Sequence, residues 1–227
     1  MRRTGGAVLM AVVVAVSVTA CGSAGSSGAG DDSTTSSTES PVSTSSTSST
    51  VAPSPTRTVL VDFADPSSIT GWRSVDDSVM GGISASTTTW TDGVLVFEGM
   101  MTTESNGGFT STLGPFDRRL GDAAAGATSL GIDAVGDGRT FVLQVRAGAN
   151  GSELWIARFT PLSYAERTGG NLVLVPVESF TPVDRFLRPR TSATPFDPSS
   201  IVQMAVYLID GQVGEFRLAI RSFVAER

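Results

Sequence analysis

From Arg57 onward, short runs of residues alternate between apolar and polar with a period of two. Phe141, Leu143 and Val145 oppose Val142, Gln144 and Arg146, and Phe216, Leu218 and Ile220 oppose Arg217, Ala219 and Arg221. Such a period sends neighbouring side chains to opposite faces of a strand, whereas a helix would scatter them around its axis. The runs are cut by turn-forming groups such as Thr91-Asp92-Gly93, Gly136-Asp137-Gly138, Ala149-Asn150-Gly151 and Asp210-Gly211. The expected strands are Thr58–Phe63, Ile83–Thr89, Val94–Gly99, Gly108–Leu113, Ser129–Val135, Thr140–Ala147, Glu153–Thr160, Leu172–Val177, Ile201–Ile209 and Glu215–Phe223. No ten-residue stretch in this region carries a helical period, and no internal repeat occurs. Ten short strands over residues 57–227 predict an all-β fold, a two-sheet sandwich with a core large enough to fold alone.

The preceding residues have a different texture. Met1-Arg2-Arg3 is a basic start, and Ala7 to Val18 is an apolar run too short to be read as a membrane-spanning helix. It ends in Val18-Thr19-Ala20-Cys21-Gly22, which resembles a bacterial lipobox. Residues 1–20 are therefore expected to be a lipoprotein signal peptide, with Cys21 becoming a lipidated amino terminus on the extracytoplasmic face of the cell membrane. Cys21 is the sole cysteine, so no disulfide can form within the chain. Residues 21–56 complete this leader as a stalk: fifteen of the eighteen residues from Ser33 to Thr50 are Ser or Thr. Such a tract buries too little apolar surface to offset its ordering entropy and is expected to be disordered. As a flexible coil it would span roughly 30 Å between its ends.

Within the β region, Trp72 to Ser84 (WRSVDDSVMGGIS) is unusual for a plain strand or loop. Gly81-Gly82 permits positive φ and close backbone approach, and Asp76-Asp77 admits three readings: turn and cap chemistry, a ligand-contacting rim, or calcium ligation. Trp72 reads as a packing aromatic or a sugar platform, and Met80 as packing beneath the loop. A second cluster, Asn106-Gly107-Gly108-Phe109-Thr110-Ser111, again runs from a glycine pair towards a strand, with Asn106 placed to hydrogen-bond the loop backbone. The structural expectation is that the two clusters meet on one side of the sandwich and fix each other.

These clusters resemble the complex I intermediate-associated protein family. The similarity rests on Trp72, Val75, Asp76, Asp77, Ser78, Val79, Met80, Gly81, Gly82 and Ser84, then Phe97 and Gly99, then Asn106, Gly107, Gly108, Phe109 and Ser111. Gly136-Asp137-Gly138-Arg139 and Gly214-Glu215-Phe216-Arg217-Leu218 extend it, so that it runs from about Val59 to Phe223. Asp76 departs from the family's more common asparagine, and the stretch from Tyr164 to Thr194 matches poorly. The resemblance implies a galactose-binding-like β-sandwich, or jelly roll. It also implies a non-enzymatic role in protein complex assembly. Eukaryotic relatives assist complex I assembly on the matrix face, which corresponds to the bacterial cytoplasm, while the lipobox puts this chain on the other side.

The absences narrow the function further. All sixteen basic residues are Arg, the net charge is −6, and no basic run exists to hold nucleic acid. With no histidine, Ser-His-Asp and Cys-His catalysis and His-ligated zinc are excluded. No cofactor or metal is expected. Three readings follow: a lipid-anchored interaction module that binds an envelope protein, a carbohydrate-binding module for envelope polysaccharide, and a hydrolase using carboxylates such as Asp76, Asp77 and Glu104. Arg185, Arg188 and Arg190, among Pro182, Pro189 and Pro195, form a local positive patch, read as a solvated loop or as a site for an anionic partner such as cell-wall polymer or lipid head groups.

Overall fold

The structure, a computed structural model, describes residues 54–164, 171–191 and 194–227; Cys21 and most of the stalk lie outside the described residues. Among the described residues no helix is long and apolar enough to cross a membrane. Thirteen strands are described: β1 (Arg57–Asp62), β2 (Arg73–Asp76), β3 (Ala85–Thr91), β4 (Val94–Met101), β5 (Thr110–Leu113), β6 (Ser129–Gly136), β7 (Phe141–Ala147), β8 (Glu153–Phe159), β9 (Leu162–Ser163), β10 (Leu172–Pro176), β11 (Thr181–Val183), β12 (Ile201–Leu208) and β13 (Gly214–Glu226). All ten expected strands occur. The additional ones, β2, β9 and β11, have two to four residues each.

The strands form two sheets. One has the order β10-β6-β13-β4-β3, with β1 also paired to β13 and β9 to β6; the other runs β11-β8-β7-β12-β5-β2. Apart from the short β6–β9 pair, every pairing is antiparallel. The apolar faces meet in one core that includes Leu95, Phe97, Leu130, Ile132, Phe141, Leu143, Val145 and Met204, all essentially inaccessible to solvent. A short helix, α1 (Arg119–Ala124), buries Leu120, Gly121 and Ala124.

β13 carries most of the first sheet. Its first half pairs with β4, its second half with β1 along the same edge, and β6 runs along the other edge. The pairing with β6 shifts register between Ile220 and Ser222. The extra residue moves the inward set from Phe216, Leu218 and Ile220 to Phe223 and Ala225, so the even-numbered alternation holds only up to the bulge.

At the open side, where edge strands β2 and β3 face each other, the sheets are joined by polar contacts. The Asp76 carboxylate accepts from the Ser86 amide (2.9 Å) and hydroxyl, and the hydroxyls of Ser74, Thr88 and Thr112 form a chain of 2.8 and 2.9 Å contacts. The threonine-rich β3 thus provides hydroxyls for this seam as well as strand propensity. The Asp76 side chain makes no cap bond to the turn that follows it; its oxygens bind one strand to the other.

Phe223 packs edge-on to Phe63 (6.3 Å between ring centroids) and stacks on Trp72 (5.9 Å). Phe223→Ala should therefore lower the unfolding free energy by about 3–5 kcal/mol, measured by denaturant titration, while Val59→Ala at an exposed position should change it by less than about 0.5 kcal/mol.

Candidate functional site

The two glycine clusters meet around one buried carboxylate. Asp77 opens a single 3-10 turn, Asp77–Met80, which Gly81 ends in the left-handed conformation (φ 90°). Asp77 Oδ2 accepts from the Ser84 hydroxyl at 2.6 Å and from the amides of Gly108 and Phe109 at 2.7 and 3.3 Å; Oδ1 accepts from the Ser84 amide at 3.0 Å. The Asp77 amide in turn donates to the Phe109 carbonyl at 3.2 Å. A β-carbon on Gly82 would fall 2.3 Å from Oδ1 and 2.8 Å from the Gly107 Cα, so the close approach requires glycine there. Ser84 passes the link on, accepting from the Thr102 amide at 3.1 Å.

Burial alone would raise the pKa of Asp77. The Ser84 hydroxyl and the amides of Gly108, Phe109 and Ser84 outweigh it and hold the carboxyl below the ordinary aspartate value. With 0% of its surface exposed, and donors already directed at both oxygens, Asp77 touches no ligand. The same donors present positive charge where a calcium ion would have to sit. This corrects the rim, calcium and catalytic readings of Asp77, whose role is to hold the loops together.

The other candidate residues separate around this clamp. Asn106 takes a left-handed backbone (φ 63°), which asparagine tolerates, and its side chain makes no hydrogen bond among the described residues; the expected contact to the loop backbone is replaced by a conformational role. Trp72 is packed with Phe63 (5.3 Å, edge-on) and Phe223 against the core, which corrects the sugar-platform reading. Met80 is 52% exposed and stands at the surface rather than beneath the loop. Glu104 is exposed, in its own 3-10 turn (Glu104–Asn106).

Beside the clamp lies a cleft of about 1020 Å³. Its floor follows from strand register: Val75 of β2, Ser111 of β5, Tyr207 of β12, Val142 of β7 and Arg158 of β8 are successive partners across the sheet, so all five lie on its outer face. Phe109, whose backbone the clamp holds, sets its ring 6.3 Å from that of Tyr207. Burial pushes the Tyr207 phenol up, opposed by the Arg146 guanidinium and by hydrogen bonds with Ser111 and Gln144. The far wall is the segment after β11, where Arg185, Phe186, Leu187 and Arg188 line the cleft. Leu187 anchors this wall against the small outer cluster of Val142, Leu154, Ile156 and Val183.

Of the residues singled out in sequence, Met80, Gly108, Phe109, Arg185 and Arg188 line the cleft, whereas Arg190 does not. Sequence reasoning missed Tyr207, Arg158, Asp210 and Phe186. The aromatic placed within two residues of each of two arginines, Arg185 and Arg188, was the available signal for Phe186; the other three required the register of the strands.

A profile described as "Complex I intermediate-associated protein 30 (CIA30)" matches residues 61–220. The chain belongs to this family. Among curated proteins no significant match to the CIA30 chain was found. Solved structures similar to it include the family 11 carbohydrate-binding module of the cellulosomal cellulase Lic26A-Cel5E of Clostridium thermocellum, at 15% identity and TM-score 0.52, covering 76% of this chain and 95% of that one. The Clostridium thermocellum family 11 module in complex with a β-1,3-1,4-mixed-linked tetrasaccharide aligns at 15% identity and TM-score 0.51, covering 74% and 94%. At this identity the likeness concerns the fold, and the CIA30 domain is a jelly-roll β-sandwich of the galactose-binding-like type.

The clamp predicts a defined pH response. The folded Asp77 carboxyl is more acidic than the unfolded one, so its contribution is complete above about pH 4 and is lost as pH falls through the folded value. Asp77→Asn places an amide against amide donors and should cost about 2–4 kcal/mol at neutral pH. Thermal melts should show a steeper loss of stability below about pH 4 in the wild type than in this variant. Gly82→Val should destabilise at least as much, since its side chain meets Asp77 and Gly107.

Proposed function

We propose that this CIA30 domain is a non-catalytic binding module whose ligand, an extended polysaccharide, lies in the cleft beside the Asp77 clamp. The observation that carries the reading is the cleft itself: about 1020 Å³, with Phe109, Tyr207 and Phe186 among its lining and polar groups at its margin. Sugar rings present flat apolar C–H faces that stack on aromatic side chains and an equatorial belt of hydroxyls that needs polar partners. Similarity in fold to a module solved with a bound tetrasaccharide supports the same reading. Asp210 is the one carboxylate among the lining residues, and it is engaged with Arg158 at 2.9 Å. Hydrolysis by paired carboxylates has no second acid here.

The lipobox at Cys21 and the serine- and threonine-rich stalk support display of the domain outside the cell membrane, tethered through lipid, where envelope polysaccharide would be within reach. The family match favours a second reading, in which the same surface docks an envelope protein during assembly of a membrane complex. Crosslinking in living cells separates the two: a constant set of membrane subunits supports assembly, and wall material without a constant protein supports the polysaccharide.

Retardation of the protein in gels containing soluble mixed-linkage β-glucan tests the polysaccharide reading directly. Phe186 is half exposed, so Phe186→Ala should leave the melting temperature within about 1 °C while weakening retardation about tenfold. Absence of retardation on a broad panel of soluble glycans would overturn it. Cys21→Ser should move the protein from the membrane fraction to the soluble fraction; persistence with the membrane would overturn the lipid tether.

A further inference from the structure

We infer that the cleft selects an acidic glycan, a chain of sugars bearing carboxylates, through the guanidinium groups of Arg185 and Arg188. The inference rests on the polysaccharide reading of the cleft and names the class of ligand it takes.

The charges along the cleft are unequally satisfied. At the floor, Arg158 makes a two-point contact with Asp210 (2.9 and 3.1 Å), so its charge is neutralised within the protein. At the wall, Arg185 and Arg188 are exposed, and among the described residues neither forms an ion pair with a carboxylate. Both lie over the single ring of Phe186, 4.7 and 5.0 Å from its centroid, so the ring holds two like charges close together. The nearest acid, Asp184, directs Oδ1 at the backbone instead, accepting from the amides of Phe186 (2.7 Å) and Arg188 (3.0 Å). Its carboxyl is held below the ordinary aspartate value by the Arg188 and Phe186 amides, with Arg188 and Arg190 adding charge attraction, so Asp184 stays ionised and offsets part of the wall's charge.

The wall is also held in place. Asp184 closes its turn, Leu187 takes a left-handed backbone (φ 58°), and its side chain packs on the outer apolar cluster of the sheet. A pair of exposed guanidiniums that Asp184 offsets only in part, on a fixed loop in a chain of net charge −6, makes a local positive site that attracts an anionic ligand. A guanidinium offers parallel N–H groups that match a carboxylate in two-point fashion. A phosphate polymer on an open polyol chain could meet the charge, but it has no flat apolar faces to cover Phe109 and Tyr207. A uronic acid chain has both.

Isothermal titration calorimetry of the full chain with three polymers tests this: polygalacturonate, the same polymer with its carboxyls methyl-esterified, and mixed-linkage β-glucan. The wild type should bind polygalacturonate at least about tenfold more tightly than the ester, with affinity falling as salt is raised from about 0.05 to 0.3 M. Arg185→Gln with Arg188→Gln should remove that preference. The corresponding double lysine variant should keep part of it, with charge present but the fork lost. Both positions are exposed, and melting curves verify that the variants remain folded. Equal affinity for the acid and its ester, or an undiminished preference in the glutamine variant, overturns the inference. Binding of the neutral glucan without preference for the acid overturns it alone, whereas binding to none of the three overturns it together with the polysaccharide reading.

Discussion

The Asp77 carboxylate is the point on which this side of the sandwich depends. Two loops more than twenty residues apart in sequence must be brought to van der Waals contact, and each brings backbone amides that would otherwise be buried without partners. A single ionised side chain satisfies amides from both. The glycines follow from it: a β-carbon on Gly82 or Gly107 would overlap the carboxylate, while Gly81 and Gly108 take the positive φ that the closure requires. The motif is therefore better understood as one anion with a fitted shell than as a set of separately useful residues. The clamp also shapes the cleft, since Phe109, whose backbone it holds, contributes to the lining.

The molecule thus divides the work between a rigid base and an added wall. The base is the outer face of the six-stranded sheet, where antiparallel register lines up Val75, Ser111, Tyr207, Val142 and Arg158 without any residue needing a special conformation. The wall is a non-repetitive segment after β11, secured by Asp184 and Leu187. A loop carried on a hydrogen-bonded sheet can vary in sequence without disturbing the core.

Much of the fold was legible in the sequence because two-residue alternation and turn pairs report strands directly, and all ten expected strands occur. The three additional strands were not legible, and β2 was hidden inside a motif that read as a loop. The bulge in β13 was likewise invisible, since the alternation of Phe216, Leu218 and Ile220 gives no warning that Phe223 and Ala225 will face inward. At the site, sequence located the two clusters but assigned several side chains to the wrong surroundings. Met80 belongs to the surface and Asp76 to the seam between sheets, while Trp72 packs against the core as the first of its two readings expected. Tyr207 and Asp210 could not have been named, because their place in the cleft comes from the pairing of β12 with strands distant in sequence.

One consequence lies in the order of synthesis. β13, the last strand of the domain, is the shared partner of β1, β4 and β6, and β1 meets it across 169 residues at Arg57 and Glu226. A growing chain emerging from its amino end therefore holds these three strands without the one that joins them. The local hairpin β3–β4 can form early, but the sheet closes around its centre only when β13 arrives, by contacts distant in sequence, a topology that folds slowly. Until β13 is complete, β1, β4 and β6 have no common partner, and the first sheet lacks its centre.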